Sequence, residues 1–207
     1  MADLPLSLAA PYDAALMAAL DIERKITRAL ETLGPIGGRD VAAVGGGPVE
    51  IAQLKELGGR VTGIASLRDA AAPFPDASFD TITARWSAFR GADHAELAEA
   101  DRLLRPGGRL LVVHDYGRDD VSLLRGDLPE YRLWSRRDGP FLSAGFRIRV
   151  IHCFWTFPDT ESAAAFTRGA FPSTGETVAA GLKRPRLSYN VAVYHRTKGD
   201  GDAPAEA

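Results

Sequence analysis

Cysteine is nearly missing from this chain of 207 residues: Cys153 stands alone, which excludes an internal disulfide and any thiolate metal cluster and fits a reducing, cytoplasmic setting. No apolar run approaches the roughly 20 residues that a membrane helix requires. The opening MADLPLSLAAPYDAAL lacks a basic stretch ahead of an apolar core, so a soluble, untargeted protein is expected. Excess charge of either sign is lacking too. Lysine and arginine number 25 against 27 aspartates and glutamates, a formal net charge of -2, which gives no bulk attraction for nucleic acid or an anionic membrane. There is no Gly-x-Ser-x-Gly elbow, no phosphate loop ending in lysine and no zinc motif. His152 and Cys153 fall within one alternating segment and so point to opposite faces, which leaves no metal site to expect.

What is present suffices for one sizeable core: 45% of the residues are hydrophobic. A single domain over residues 1–197 is expected. The polar, acidic tail KGDGDAPAEA at 198–207 is too poor in apolar groups to offset its ordering entropy and is expected to be disordered. Leu16, Met17, Leu20, Ile26, Leu30 and Leu33 recur at helical spacing after Asp13, which can cap the helix, and predict one amphipathic N-terminal helix over about 13–33, ended by Gly34 and Pro35.

The stretch DVAAVGGGPVEIAQLKELGGRVTGIAS at 40–66 reads as strand, glycine turn, helix and second strand. Residues 79–84 alternate as a strand. HAELAEADRLLRPGGRLLVVHDYG then reads as helix, Pro-Gly-Gly turn and a buried strand at 109–113. Strand and helix signals in alternation predict an α/β domain with a mainly parallel sheet. In the last third GFRIRVIHCFWTF and RLSYNVAVYHRT both alternate and are rich in β-branched and aromatic residues, which predicts an antiparallel strand pair. Between them DTESAAAFTRGAF is a helix capped by Asp159 or Thr160.

The series VAAVGGGP at 41–48, PFPDASFDTITAR at 73–85 and EADRLLRPGGRLLVVHDYG at 99–117 resembles class I S-adenosylmethionine-dependent methyltransferases of the type 11 group. The matching segments cover about half of the chain. The resemblance implies a Rossmann-like sheet, S-adenosylmethionine as cofactor and a small-molecule acceptor. The glycines suit a ligand loop independently, since residues without Cβ atoms accept positive φ and let a ligand approach the backbone at a helix N-terminus.

Three positions depart from the family's pattern. Ala43 stands where the first strand usually ends in an acid, Val49 replaces a further glycine, and Ala65 or Ser66 occupies the place of the acid that accepts from both ribose hydroxyls. The same gap opposes a nicotinamide dinucleotide, whose fingerprint expects an acid near position 65. Asp69 lies in a segment resembling the one whose aspartate meets the adenine amino group. Residues 65–78 are also too few, with Pro73 and Pro75 among them, for a helix, a strand and a return. One strand on the adenosine side is therefore expected to be missing, leaving residues 60–64 as a sheet edge covered by the N-terminal helix, a second copy or a paralogue.

A pocket is expected at the carboxyl ends of the parallel strands. Gly45, Gly46, Gly47, Ala65, Ser66, Asp69 and Arg85 are the candidate cofactor residues, with Trp86 beside them. His114, Asp115 and Tyr116 are the candidate catalytic groups, because each could accept or relay a proton at a strand end, although a structural hydrogen-bonded pair is equally compatible with His114 and Asp115. The basic run GLKRPRLSYN reads as a solvated loop, with no nucleic-acid motif around it. The leading expectation is a methyltransferase for a small molecule. Its rivals are a methyltransferase-like protein that has lost the cofactor and serves as a binding or assembly partner, and a sheet-edge oligomerisation module with no small ligand.

Overall fold

The computed structural model describes residues 4–68, 73–126 and 128–199. Their elements run, in chain order, α1 (Tyr12–Ala19), α2 (Lys25–Leu33), β1 (Asp40–Val44), α3 (Pro48–Glu56), β2 (Arg60–Ile64), β3 (Phe79–Arg85), α4 (His94–Leu103), β4 (Leu104–Asp115), α5 (Asp120–Arg125), α6 (Pro129–Trp134), α7 (Pro140–Ser143), β5 (Arg147–Thr156), α8 (Thr160–Ala170), α9 (Gly175–Gly181) and β6 (Arg186–Thr197).

The strands form one sheet in the order β2-β1-β3-β4-β6-β5. β2, β1, β3 and β4 run parallel, and β6 inserts antiparallel between β4 and β5. This is the mainly parallel sheet with an antiparallel carboxyl-terminal pair that the strand patterns predict. Alternation sends Val41, Ala43, Leu111, Val113, Tyr189 and Val191 to one face, where α1, α2, α3, α5 and α8 cover them. Ala42, Val44, Ile82, Leu110, Val112 and Tyr194 face the other side, under α4, α6 and α7. Sheets buried on both faces explain why β1 and β4 read as nearly continuous apolar runs.

Among the described residues no helix or strand lies between β2 and β3, and β2 pairs only with β1. Asp69 and the tail from residue 200 fall outside the described residues.

The N-terminal helix differs from its expected form. It breaks into α1 and α2 at Asp21, which sits in the left-handed region at φ 49° and whose two carboxylate oxygens accept from the amides of Lys25 and Ile26, each at 2.8 Å. The apolar spacing survives the break because both halves face the same core, so periodicity alone could not reveal it. Asp13 is not the helix cap either: its Oδ1 accepts from the Leu8 amide at 2.6 Å.

Neither half covers the β2 edge. The Asp21 amide bonds to the Phe154 carbonyl and Leu20 bridges Trp155, so the segment between the helices borders β5 at the opposite side of the sheet. The expectation of an N-terminal cover over β2 is thereby corrected. The cap at Asp159 holds, its Oδ1 accepting from the Ser162 amide at 2.7 Å.

Candidate functional site

The glycine turn lies at the carboxyl end of β1, between the ends of β2 and β3. Gly45 adopts φ +63°, and a Cβ there would come within 2.6 Å of the Ser87 Cβ. Its amide donates to the Ile64 carbonyl at 2.7 Å, while the Ser87 hydroxyl donates to the Val44 carbonyl at 2.5 Å. The turn is thus tied to both neighbouring strands and admits only glycine at position 45. Gly46 is confined from below, since a Cβ would stand 2.8 Å from Glu50 Oε2 and 3.1 Å from the Ala43 Cβ. Gly47 precedes α3 in extended conformation, and Pro48 opens that helix at its first position, where no amide is needed.

Beneath the turn lies a polar layer that the apolar pattern hides. Glu50 is fully buried and accepts from Thr83 Oγ1 at 3.1 Å. Arg85, only 4% exposed, donates from Nη1 to Gln53 Oε1 at 2.8 Å, and the Thr27 hydroxyl donates to the same oxygen at 3.0 Å. The Arg85 guanidinium lies 5.2 Å from the Trp86 ring centre. Arg85 Nε meets no hydrogen-bond acceptor among the described residues.

The loop leaving β3 is backbone-strained. Trp86, Phe89 and Ala92 have φ of 55°, 59° and 56°. Three side-chain-bearing residues in the left-handed region within one short loop is unusual, and such residues cluster at ligand and switch sites. Glu96 holds this loop in place: its Oε2 accepts from the Phe89 amide and its Oε1 from Arg68 Nε at 2.8 Å.

At the end of β2, Ala65 is exposed and offers no side-chain acceptor. The Ser66 hydroxyl accepts from the Arg68 amide at 3.0 Å in a local turn. The structure therefore brings Gly45, Gly46, Gly47, Ala65, Ser66 and Arg85 to one end of the sheet, as the strand pattern predicts.

The three candidate catalytic residues separate. His114 points to the α6–α7 side, fully buried, with Nε2 donating to the Ala88 carbonyl at 3.1 Å and its ring 4.9 Å from that of Trp134. The carbonyl can only accept, so the proton sits on Nε2. Burial, with the Arg90 charge adding to it, pushes the imidazole down to about 3, and His114 is neutral at ordinary pH. Asp115 points to the other face and is held by Arg125 and the Tyr189 hydroxyl. Burial raises the Tyr189 phenol well above its ordinary value, so it stays a donor. Tyr116 is half-buried, with the Arg118 guanidinium 5.6 Å from its ring centre.

Sequence reasoning missed Ser87, Glu50 and Glu96. Glu96 had a readable signal, because Asp93 Oδ1 accepts from the Glu96 amide at 3.0 Å in a capping arrangement visible as Asp-x-x-Glu. Ser87 and Glu50 carried none: their roles arise where three strand ends meet.

The sheet order, the single antiparallel strand and the glycine turn at the end of β1 define a Rossmann-like methyltransferase fold. Residues 25–112 match the family described as "Methyltransferase domain". Among solved structures it resembles a candidate type II methyltransferase from Anaeromyxobacter dehalogenans, at 21% identity over 84% of this chain and 96% of the other, with a TM-score of 0.51. It also resembles the MccD protein, at 13% identity over 82% and 96%, with a TM-score of 0.50. Likeness at these identities fixes the fold alone. No curated protein matches the chain.

Proposed function

We propose that this protein is an S-adenosylmethionine-dependent methyltransferase acting on a small molecule. The observation that carries the reading is the left-handed turn at Gly45 packed against Ser87, the residue that follows the left-handed, buried Trp86, at one end of the sheet. Left-handed residues at a strand end beside a helix N-terminus are a recurrent setting for ligand-binding loops.

The residues fit the cofactor unequally. The amides of Gly46 and Gly47 and the guanidinium of Arg85 suit the methionine end, while Gly45 shapes the turn with its own amide bonded to the Ile64 carbonyl. The ribose end lacks its acid at Ala65, and Ser66 is engaged with Arg68. Loss of a charged acceptor removes about 1.5–3 kcal/mol of binding. When bound, the cofactor supplies an electrophilic methyl group on a sulfonium. The protein's part is alignment and exclusion of water, which can furnish much of the rate without an acid or base. Of the candidate catalytic groups, the reading leaves Tyr116 to meet the acceptor, while His114 and Asp115 brace the end of β4.

A second reading, a cofactor-free binding or assembly partner, is favoured by the alanines at 43 and 65. Calorimetric titration with S-adenosylmethionine and S-adenosylhomocysteine separates the two. Micromolar binding is expected, lost in Gly46→Trp and strengthened roughly tenfold or more in Ala65→Asp by restoring a charged acceptor. Absence of binding at millimolar ligand in the folded wild-type protein would favour the second reading.

A further inference from the structure

Three depressions adjoin one another across the carboxyl end of β5, far from the glycine turn. The first is an apolar cavity of about 460 Å³ between α1, α8 and the end of β5, lined by Ala15, Ala18, Ile22, Phe157 and Phe166. No charged side chain lines it among the described residues. A narrow saddle lined by Asp21, Ile22, Glu23, Lys25, Phe154 and Thr156 follows, sharing Ile22 and Thr156 with the cavity; its two carboxylates are engaged, Asp21 with the Lys25 and Ile26 amides and Glu23 with Lys25 at 2.7 Å. Phe154 then forms part of a groove of about 440 Å³ between α5, α9 and the start of β6, which carries Lys183, Arg184 and Arg186 beside Leu123 and Leu182.

The two ends differ in chemistry. At the groove, Arg186 lies 4.2 Å and Lys25 4.9 Å from the centre of the Phe154 ring. Lys183, Arg184 and Arg186 form no ion pair with a carboxylate among the described residues. Asp120, the acid lining the groove, is turned to Ser188, whose amide and hydroxyl both donate to its Oδ2 at 2.7 Å. Exposed large apolar residues mark both ends: Ile22 is 57% exposed at the cavity and Leu123 is 67% exposed at the groove.

We propose that this surface binds an amphipathic anion, a single apolar chain bearing a carboxylate or phosphate head. The chain lies in the cavity between α1 and α8, crosses the saddle at Ile22 and Thr156, and sets its head against Lys183, Arg184 and Arg186. Charge complementarity fixes the direction, because among the described residues the groove carries three basic side chains and the cavity none. The site is separate from the glycine turn: β5 and β1 stand four strand positions apart in the sheet, about 19 Å at the usual spacing. It therefore stands or falls independently of methyl transfer.

The test is calorimetric titration of the full chain, without cofactor, with dodecanoate and dodecyl phosphate below their micellar concentrations. Dodecanol and inorganic phosphate serve as the chain-only and head-only probes. Saturable one-to-one binding of at least one anionic amphiphile is expected, at least tenfold tighter than either partial probe, and the tighter of the two identifies the head. Ala18→Trp, at an exposed position of α1, fills the cavity, and Lys183→Glu with Arg184→Glu, both exposed, reverses the groove's charge. Each is expected to weaken binding at least tenfold while leaving the melting temperature unchanged. Non-saturable uptake, dodecanol binding as well as dodecanoate, or indifference to both variants would overturn the proposal.

Discussion

His114 shows how one position can carry a catalytic-looking residue for a structural reason. Its imidazole is enclosed by Tyr131, Trp134 and Phe141, at ring distances of 6.4, 4.9 and 6.1 Å, and bonds to a backbone carbonyl. In the folded chain it titrates near 3, below its ordinary value of 6.5, so the unfolded chain binds the proton more tightly. The stability this residue confers is therefore complete above about pH 6.5 and is lost as the pH falls toward 3, at about 1.4 kcal/mol per pH unit. Between pH 7 and pH 5 that amounts to about 2 kcal/mol. Denaturant unfolding of the wild type and His114→Gln at the two pH values is expected to show this part of the acid loss in the wild type alone. Equal losses in both proteins would place a charged or solvated imidazole at position 114.

At the scale of elements, the break between α1 and α2 decides what the amino-terminal segment does. An unbroken helix would run past β5. The left-handed turn at Asp21 instead brings Leu20 and Asp21 against the strand's edge and restarts the helix across the sheet face. The carboxylate that caps α2 is itself partly buried, and burial raises its pKa despite the two amides and the nearby charges of Arg85 and Lys25. Asp21→Ala removes the acceptor of two helix amides and is expected to lower stability by about 1–2 kcal/mol. Asp21→Asn, which keeps an acceptor and tolerates the left-handed region, is expected to recover part of that loss. Thermal melts of the three proteins check both statements.

For the whole molecule, β2 is an edge with one partner among the described residues and little cover; Arg60 and Gly63 are exposed. Arg60, which opens that edge strand, turns its side chain back toward β1, bonding to Asp40 at 2.7 Å and to the Gly38 carbonyl at 2.8 Å. Hydrogen exchange at micromolar protein is expected to release the outward amides of β2 well before those of β1 and β3, which lie between strands. Protection of β2 that rises with protein concentration would instead reveal a second chain paired along it.

Local chemistry and periodicity made most of the sheet legible in the sequence. β1, β2 and β3 lie where the apolar runs place them, the cap at Asp159 follows from residue type, and the shortage of chain between 65 and 78 agrees with the six-stranded order. Those features depend on neighbours along the chain, which a sequence displays directly. The tertiary structure alone decided where α1 and α2 divide, because both halves satisfy the same apolar spacing. It alone placed Ser87 against Gly45 and Glu50 beneath Gly46, contacts between residues distant in the chain or hidden within a helix. It also turned His114 and Asp115 to opposite faces: a strand's period of two separates what adjacent numbering joins, and burial then determines whether each side chain meets solvent, a partner or the core.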